Sequence, residues 1–472
     1  MDYLNMTSLI WLRNDLRIDD NKALYYACKK KKDIIVLFIS TPKQWKNHSM
    51  SGKQANFIYN RLLYLQKKFF SLNINFLYKE AKDFNKSIKC ILLICKKYKI
   101  SSVFYNFQYE FNEKKRDDLL KINLLNNKIK VYNFHDNILV SPNLIKNNLG
   151  NSYKIFYFFK KKILNILKNK KIICVSQPKI RKKLKILNKK NINFRFKFKK
   201  FNITKFPFKD KLIIKKINYF FKNKFFLYNK KKDYLYLNNT SEFSIYLNLG
   251  VFSVRKFFYY ILKYSKNNYK NSYILLNKLL WREFFKHLMF SYQNLSKNLS
   301  LKPFEKKIKW KNNHLKIKAW KKGLTGVPII DAGMRQLKKT GWLNNRLRMI
   351  VSNFLVKNLL INWRIGEKHF MLNLIDSDFS INNGNWQWIS SCGTDSVSYI
   401  RTFNPYIQSK KFDNKGIFIK KYVKELKNVP IKNIHKPYLW LKKNEPYTKY
   451  PKPIINYEKN KKIFEKIIKK LI

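Results

Sequence analysis

Across roughly the first 140 residues, short apolar runs and amphipathic segments alternate, and few folds satisfy that rhythm. The runs "SLIWLR", "DIIVLFIS", "INFLYKE" and "SSVFYNF" read as strands, rich in branched and aromatic residues. Between them, "NKALYYACKK", "GKQANFIYNRLLYLQKKFFSL" and "NKSIKCILLICKKY" repeat their apolar residues at helical spacing. Strand and helix in alternation predict a doubly wound parallel sheet with helices on both faces, an α/β domain over residues 1–140. The continuous apolar run "IIVLFI" suits a strand buried on both sides. No Gly-x-Gly-x-x-Gly follows the first strand, so a nicotinamide dinucleotide is not expected there.

The chain has 472 residues, more than one core usually supports, so a second domain is expected. Residues 141–225 carry less signal, and the Lys-Asn-Phe run "KIRKKLKILNKKNINFRFKFKKFNITKFPFKDK" reads as a surface connection, in part disordered, with solvated lysines. From 226 to 472 the pattern becomes helical. "SYILLNKLLWREFFKHLMF" and "NNRLRMIVSNFLVKNLLINW" place apolar residues three and four apart, and eight of the ten tryptophans lie between Trp281 and Trp440. An all-helical C-terminal domain is expected.

Lysine and arginine total 101 against 27 acidic residues, a formal charge of +74 that invites a nucleic-acid partner. The lysines, however, are spread along the chain with abundant Asn, Ile, Phe and Tyr, all with AT-rich codons, and base composition explains such a bias at least as well as a binding surface does. Arginine resists that drift and is the better guide. The five cysteines are scattered without Cys-x-x-Cys spacing and the six histidines are dispersed, so a reduced, cytoplasmic chain without a metal site is expected. The charged N-terminus does not read as a signal peptide, and no apolar run approaches a membrane span.

Three clusters in the helical half carry chemistry. In "YNKKKDYLYLNNTSEFS", Thr240, Ser241 and Ser244 offer hydroxyls and backbone NH groups to an anion, with a helix cap as the rival use. In "WREFF" and "GWLNNRLRM", Arg282, Arg346 and Arg348 supply forked donors, and Trp281 and Met349 supply flat or soft apolar surface. In "LIDSDFSINNGNWQW", Asp376 suits an arginine and Asp378 suits a ring NH, while the amide of Asn382 both donates and accepts. Trp386 and Trp388 follow what reads as an Asn-Asn-Gly-Asn turn. No Ser-His or Cys-His pair stands nearby, so the site lacks a nucleophile.

These segments, in this order and spacing, resemble the DNA photolyase and cryptochrome family, most closely the bacterial folate-type cyclobutane pyrimidine dimer photolyases. "WLRNDLRIDDNKAL", "TPKQWKNHSMS" and "FYNFQYEFNEKKRD" resemble the antenna domain, and residues 322–370 with "LIDSDFSINNGNWQW" resemble the flavin domain. The resemblance implies a deoxyribodipyrimidine photo-lyase: reduced, anionic FAD passes a light-driven electron to a flipped-out dimer in damaged single- or double-stranded DNA. It implies contacts to FAD from Tyr228, Thr240, Ser241, Glu242, Phe243 and Ser244, and from Arg282, Trp342, Arg348, Asp376, Ser377 and Asp378. Asn382 is implied opposite the reactive flavin nitrogen. Trp281, Lys278, Asn345, Met349 and Trp388 are implied around the dimer, with Lys232, Arg346 and Arg401 near DNA. Trp386, Trp363 and Trp310 match a three-indole electron relay, and Asn112 and Glu113 match the grip on a 5,10-methenyltetrahydrofolate antenna. A monomer is implied as well.

The sequence departs from that pattern at four points. Lys278 stands where the family has glutamate, Leu275 where tryptophan is usual, and Lys232 and Glu242 where arginines are usual. Lys278 is expected to sit desolvated in a tight pocket, and Glu242 to turn to solvent or to a neighbouring lysine. The competing function is a cryptochrome-like blue-light receptor without repair, which the altered Lys278 favours and the short C-terminal tail opposes. A basic nucleic-acid binder would leave "DSDFSINNGNWQW" idle.

Overall fold

The computed structural model describes residues 7–30, 33–181, 191–196, 198, 201–266, 268–394 and 402–471. They form two compact units, one of residues 1–219, 242–297 and 375–380, the other of 220–241, 298–374 and 381–472.

The first unit is built on five parallel strands, β1 (Thr7–Leu12), β2 (Asp33–Ser40), β3 (Asn75–Glu80), β4 (Ile100–Asn106) and β5 (Lys130–Phe134), in the order β3-β2-β1-β4-β5. The crossover helices are α1 (Lys22–Lys29), α2 (Gly52–Ser71), α3 (Phe84–Lys97) and α4 (Phe111–Asn126). The doubly wound sheet expected from the alternation is therefore present. Its central strands are buried on both faces, and Leu9, Trp11, Leu37 and Val103 pack with Ile91 of α3 and Leu120 of α4. The edge strand β5 is half-buried and opens on an exposed lysine, so it lacks the apolar signature of the others. The same unit contains α5 (Phe156–Asn169), α6 (Val254–Ser265) and α7 (Tyr269–Ser291). Arg255 of α6 is pinned by buried Asp20 and Asp136, at 3.0 Å and 2.7 Å. Gly250, at φ +57, lies so close to Asn14 that a Cβ would stand 2.3 Å from its carbonyl oxygen.

The Lys-Asn-Phe connection is not simply a solvated linker. Ile192 and Phe206 are buried, and Phe194 meets Trp45 and Tyr59 edge-on and stacks on Tyr78. The phenylalanines of that run supply apolar area that its lysines obscure. Residues 182–190, 197, 199 and 200 lie outside the described residues.

The second unit is helical in its described residues, around a core that includes Trp320, Ile330, Leu347, Val351, Leu355, Trp363 and Trp386. It contains α8 (Pro328–Thr340), α9 (Asn345–Asn353) and α10 (Trp363–Asn373). The periodic run 344–363 is not one helix. After α9 the chain makes a wide π turn over Phe354–Asn358, Leu360 takes a left-handed φ of +56, and Asn362 caps α10 by accepting from Arg364 N at 3.0 Å. Among the described residues, no helix is long and apolar enough to cross a membrane.

Candidate functional site

In the first unit, α7 carries Lys278, Trp281, Arg282 and Lys286 on successive turns. The guanidinium of buried Arg282 donates to the backbone and side-chain oxygens of Asn137, at 2.9 and 2.6 Å, and to Leu247 O at 3.2 Å. Its neighbour Glu283 accepts from Leu139 N at 2.6 Å, and burial pushes its carboxyl up to about 7 against the lowering pull of Arg282. Trp281 is half-buried, stacked on Phe156 at 3.8 Å between centroids and packed by Phe284 and Phe285 at 5.8 and 5.6 Å, and the part of the indole that stays exposed is available to a further partner. Lys278 is exposed. The desolvation expected of it therefore belongs to a dimer-bound state. Leu275, one turn earlier, is buried.

The 375–380 segment brings its acids to the same unit. Asp376 accepts from Ser244 Oγ at 2.5 Å, and its carbonyl accepts from Asn248 Nδ2 at 2.7 Å. Asp378 pairs with Lys286 at 2.6 Å, both side chains about one-twentieth exposed. Ser377 exchanges hydrogen bonds with Gln54, and Ser380 donates to Glu110. Ser244 thus spends its hydroxyl on Asp376 and not on capping. Phe243 is buried and stacked on Phe257. Glu242 adopts φ +53 and is buried, its carboxylate paired with Lys205 at 2.6 Å and Lys216 at 3.0 Å. The lysine partner was expected, whereas the turn to solvent was not realised, because two flexible ammonium groups follow the carboxylate inward.

The antenna candidates sit at the start of α4. Glu113 is buried and pairs with His48 at 3.3 Å, while Asn112 Nδ2 and Gln44 Nε2 approach His48 Nε2 at 3.1 and 2.7 Å. Burial opposes each charge, but the pairing wins: Glu113 is held below and His48 above its ordinary value.

The helix α11 (Phe379–Ile389), in the second unit from Ile381 on, contains the stretch read as an Asn-Asn-Gly-Asn turn. That reading is corrected: the amides are absorbed by helix and core. Asn382 Nδ2 donates to Glu367 O, Asn383 Nδ2 to Glu367 Oε1, Gln387 Nε2 to Asn383 Oδ1 and Asn385 Nδ2 to Ile381 O. Asn382 and Trp386, four apart, are both buried on this helix, while Trp388 is half-buried. Trp386 packs so closely on α10 that a Cβ on Gly366 would stand 2.1 Å from its ring.

Trp363 opens α10, fully buried, and Trp310 is half-buried. Both indole NH groups donate to one oxygen of buried Glu305, at 3.2 and 3.3 Å. Sequence reading missed Glu305, since an acid five residues before a tryptophan carries no signal by itself. Lys286 was missed too, although its position one turn after Arg282 was available.

Asn345 is exposed and donates weakly to Met349 Sδ at 3.7 Å, so the two share a face of α9. Arg346 and Lys232 share Asp233, at 3.3 and 2.9 Å, and Asn344 fixes the Lys232 carbonyl. Arg348 Nε donates to Leu343 O. Trp342 and Tyr228 are buried, and Thr240 and Ser241 half-buried. Arg401 lies outside the described residues.

Comparison with known proteins gives this chemistry its context. Residues 8–179 match the family model described as DNA photolyase, and 275–470 match the FAD binding domain of DNA photolyase. The deoxyribodipyrimidine photo-lyase of Buchnera aphidicola subsp. Acyrthosiphon pisum is 47% identical, covering 96% of this chain and 95% of that protein. The Escherichia coli protein of the same name is 37% identical, covering 96% of each. The crystal structure of a class III photolyase from Agrobacterium tumefaciens superposes with a TM-score of 0.89 at 26% identity, covering 100% of this chain and 98% of that one.

Proposed function

The chain belongs to the DNA photolyase family, and on that premise we propose which of its residues carry out repair. It is a deoxyribodipyrimidine photo-lyase, a DNA-repair lyase with an FAD-binding helical region. The donor set fits that cofactor: fixed carboxylates suit hydroxyl and ring NH groups, arginine forks suit a pyrophosphate, and buried indole suits a flat ring. FAD, in its reduced anionic form, supplies the light-driven electron.

In our reading, Asp376 and Asp378 accept from the cofactor, Ser244 and Lys286 hold their carboxylates, and Asn248 fixes the backbone carbonyl of Asp376. Arg282 and Arg348 donate, while Tyr228, Thr240, Ser241, Glu242, Phe243, Trp342 and Ser377 complete the contacts by wall or backbone. Asn382 keeps its amide oriented through Glu367 and meets the reactive ring. Trp281, Lys278, Asn345, Met349 and Trp388 receive an extruded dimer, which is cheaper to flip than an intact pair because it is already poorly stacked. Lys232, Arg346 and Arg401 meet phosphates. Trp386, Trp363 and Trp310 restore oxidised flavin by relay, and Asn112 with Glu113 hold a folate antenna. The same reading makes the protein a cytoplasmic monomer acting on single- or double-stranded DNA.

The observation that carries this reading is α11, which holds Asn382 and Trp386 on one buried face directly after two clamped carboxylates. Its sharpest test lies at Lys278. The flavin-loaded protein restores thymine absorbance from a dimer-containing oligonucleotide under blue light and not in the dark. Lys278→Glu raises the quantum yield at equal FAD occupancy, and an unchanged or lower yield would count against the dimer-facing assignment.

A further inference from the structure

Glu305 ties two of the relay indoles together. It sits on the short turn Pro303–Lys307 and is 3% exposed. Its Oε1 accepts from Trp363 Nε1 at 3.2 Å and from Trp310 Nε1 at 3.3 Å. Arg364 closes the carboxylate with a bidentate grip, 2.7 Å to Oε1 and 2.9 Å to Oε2. The same guanidinium lies over the Trp363 ring, 4.4 Å from its centroid, and is anchored by Nε to Asn298 O at 2.7 Å. Burial disfavours the carboxylate charge, but Arg364 and the two indole donors outweigh it and hold the carboxyl below its ordinary value.

We propose that Glu305 is a positioning residue that sets the direction of the indole relay together with the Arg364 it holds over Trp363, making Trp310 a better resting place than Trp363 for the missing electron. The inference rests on the relay reading given above. When an indole loses an electron its NH becomes a stronger donor, and a hydrogen bond to a charged acceptor strengthens with it. Glu305 offers that stabilisation to both rings. Over Trp363, however, the Arg364 cation attracts the neutral ring and repels the oxidised one. Among the described residues no guanidinium covers Trp310, so there the carboxylate, still paired with Arg364, is not offset by a guanidinium on the ring face, and half-exposure adds water.

The electron balance is simple. With flavin bound, its photoexcited oxidised form would take up one electron from Trp386, one would then pass from Trp363 to Trp386, and one from Trp310 to Trp363. No bond is made or broken in these steps, and the proton on Trp310 Nε1 stays hydrogen-bonded to Oε1. The positive charge ends on Trp310, beside the Glu305 carboxylate.

The test uses the full flavin-loaded chain with nitrogen-15-labelled tryptophan. Glu305→Gln displaces two indole NH resonances, identified by their disappearance in Trp310→Phe and Trp363→Phe. It lowers the yield of long-lived tryptophan radical after a blue flash, read by transient absorption, by about tenfold, as expected for loss of one charge-assisted hydrogen bond. Displaced resonances with an unchanged radical yield would overturn the proposal. Should the glutamine variant not fold, Glu305→Asp carries the test, because it keeps the charge one methylene short. An intermediate yield supports the proposal, and a wild-type yield with displaced resonances overturns it. Trp310→Phe separates the two levels: if it leaves the radical yield intact, the relay reading itself fails, and Glu305 falls with it.

Discussion

His48 meets a carboxylate at Nδ1 and two amides at Nε2, and its protonation state decides which of these contacts hold. With Glu113 accepting at Nδ1, the two amide nitrogens at Nε2 describe the neutral ring. Protonation turns Nε2 into a donor, and both amides must then present oxygen. The folded value of His48 is raised above 6.5, so its contribution is fully present below that pH and is lost as pH rises through the higher folded value. Glu113 is lowered from 4.5, so its contribution is present above that pH and lost as pH falls through the lower value. The pair therefore stabilises most between those limits. We expect Glu113→Gln to destabilise by about 1 kcal/mol near pH 6, discounted for the partial exposure of His48, and by less near pH 8.5. Urea midpoints at the two pH values measure this, and an equal loss at both would show that the ion pair contributes nothing. Asn112 and Glu113 were singled out in "EFNEKKRD", whereas His48, 65 residues before Glu113, lies within "TPKQWKNHSMS" but was not singled out there as their partner.

At the scale of elements, apolar periodicity located helices well and misjudged their breaks. The run 344–363 keeps helical spacing because its residues stay buried through the wide turn, so burial conceals the interruption. The one local mark is Asn362, whose side chain takes Arg364 N and opens α10 with Trp363. Asn362→Ala should cost about 1 kcal/mol, the usual worth of such a cap, read as a shifted urea midpoint. Asn362→Asp should recover most of the loss, since a carboxylate accepts the same bond and suits a helix start. The opposite error occurs at 382–385, where Asn-Asn-Gly-Asn has turn composition yet forms the interior of α11. Tertiary partners outweigh propensity there: Glu367 engages the amides of both Asn382 and Asn383, through its carbonyl and its carboxyl respectively. The motif named the candidate residues, but the element that presents them was not readable from it.

For the whole molecule the open question is how much of +74 serves DNA. The cations beside candidate contacts are partly neutralised, since Lys232 and Arg346 share Asp233, and Lys205 and Lys216 share Glu242. Phosphate contacts release counterions and so weaken with salt, whereas contacts of a flipped dimer with uncharged indole and amide groups would release almost none. The two kinds of affinity should separate cleanly. Binding of undamaged duplex in the dark, followed by fluorescence anisotropy, should fall about a thousandfold or more between about 50 and 200 mM salt if six or more phosphates are engaged. The ratio of damaged to undamaged affinity should change by less than about threefold across the same range. Lys278 refines the expectation, because an exposed ammonium that meets the dimer gives up its own counterions on binding. A ratio that declines with salt in the native protein, and stops declining in Lys278→Met, would mean that this charge reads the lesion directly. A flat ratio in both would leave dimer selection to Trp281, Asn345, Met349 and Trp388, with the lysine excess acting on DNA of any kind.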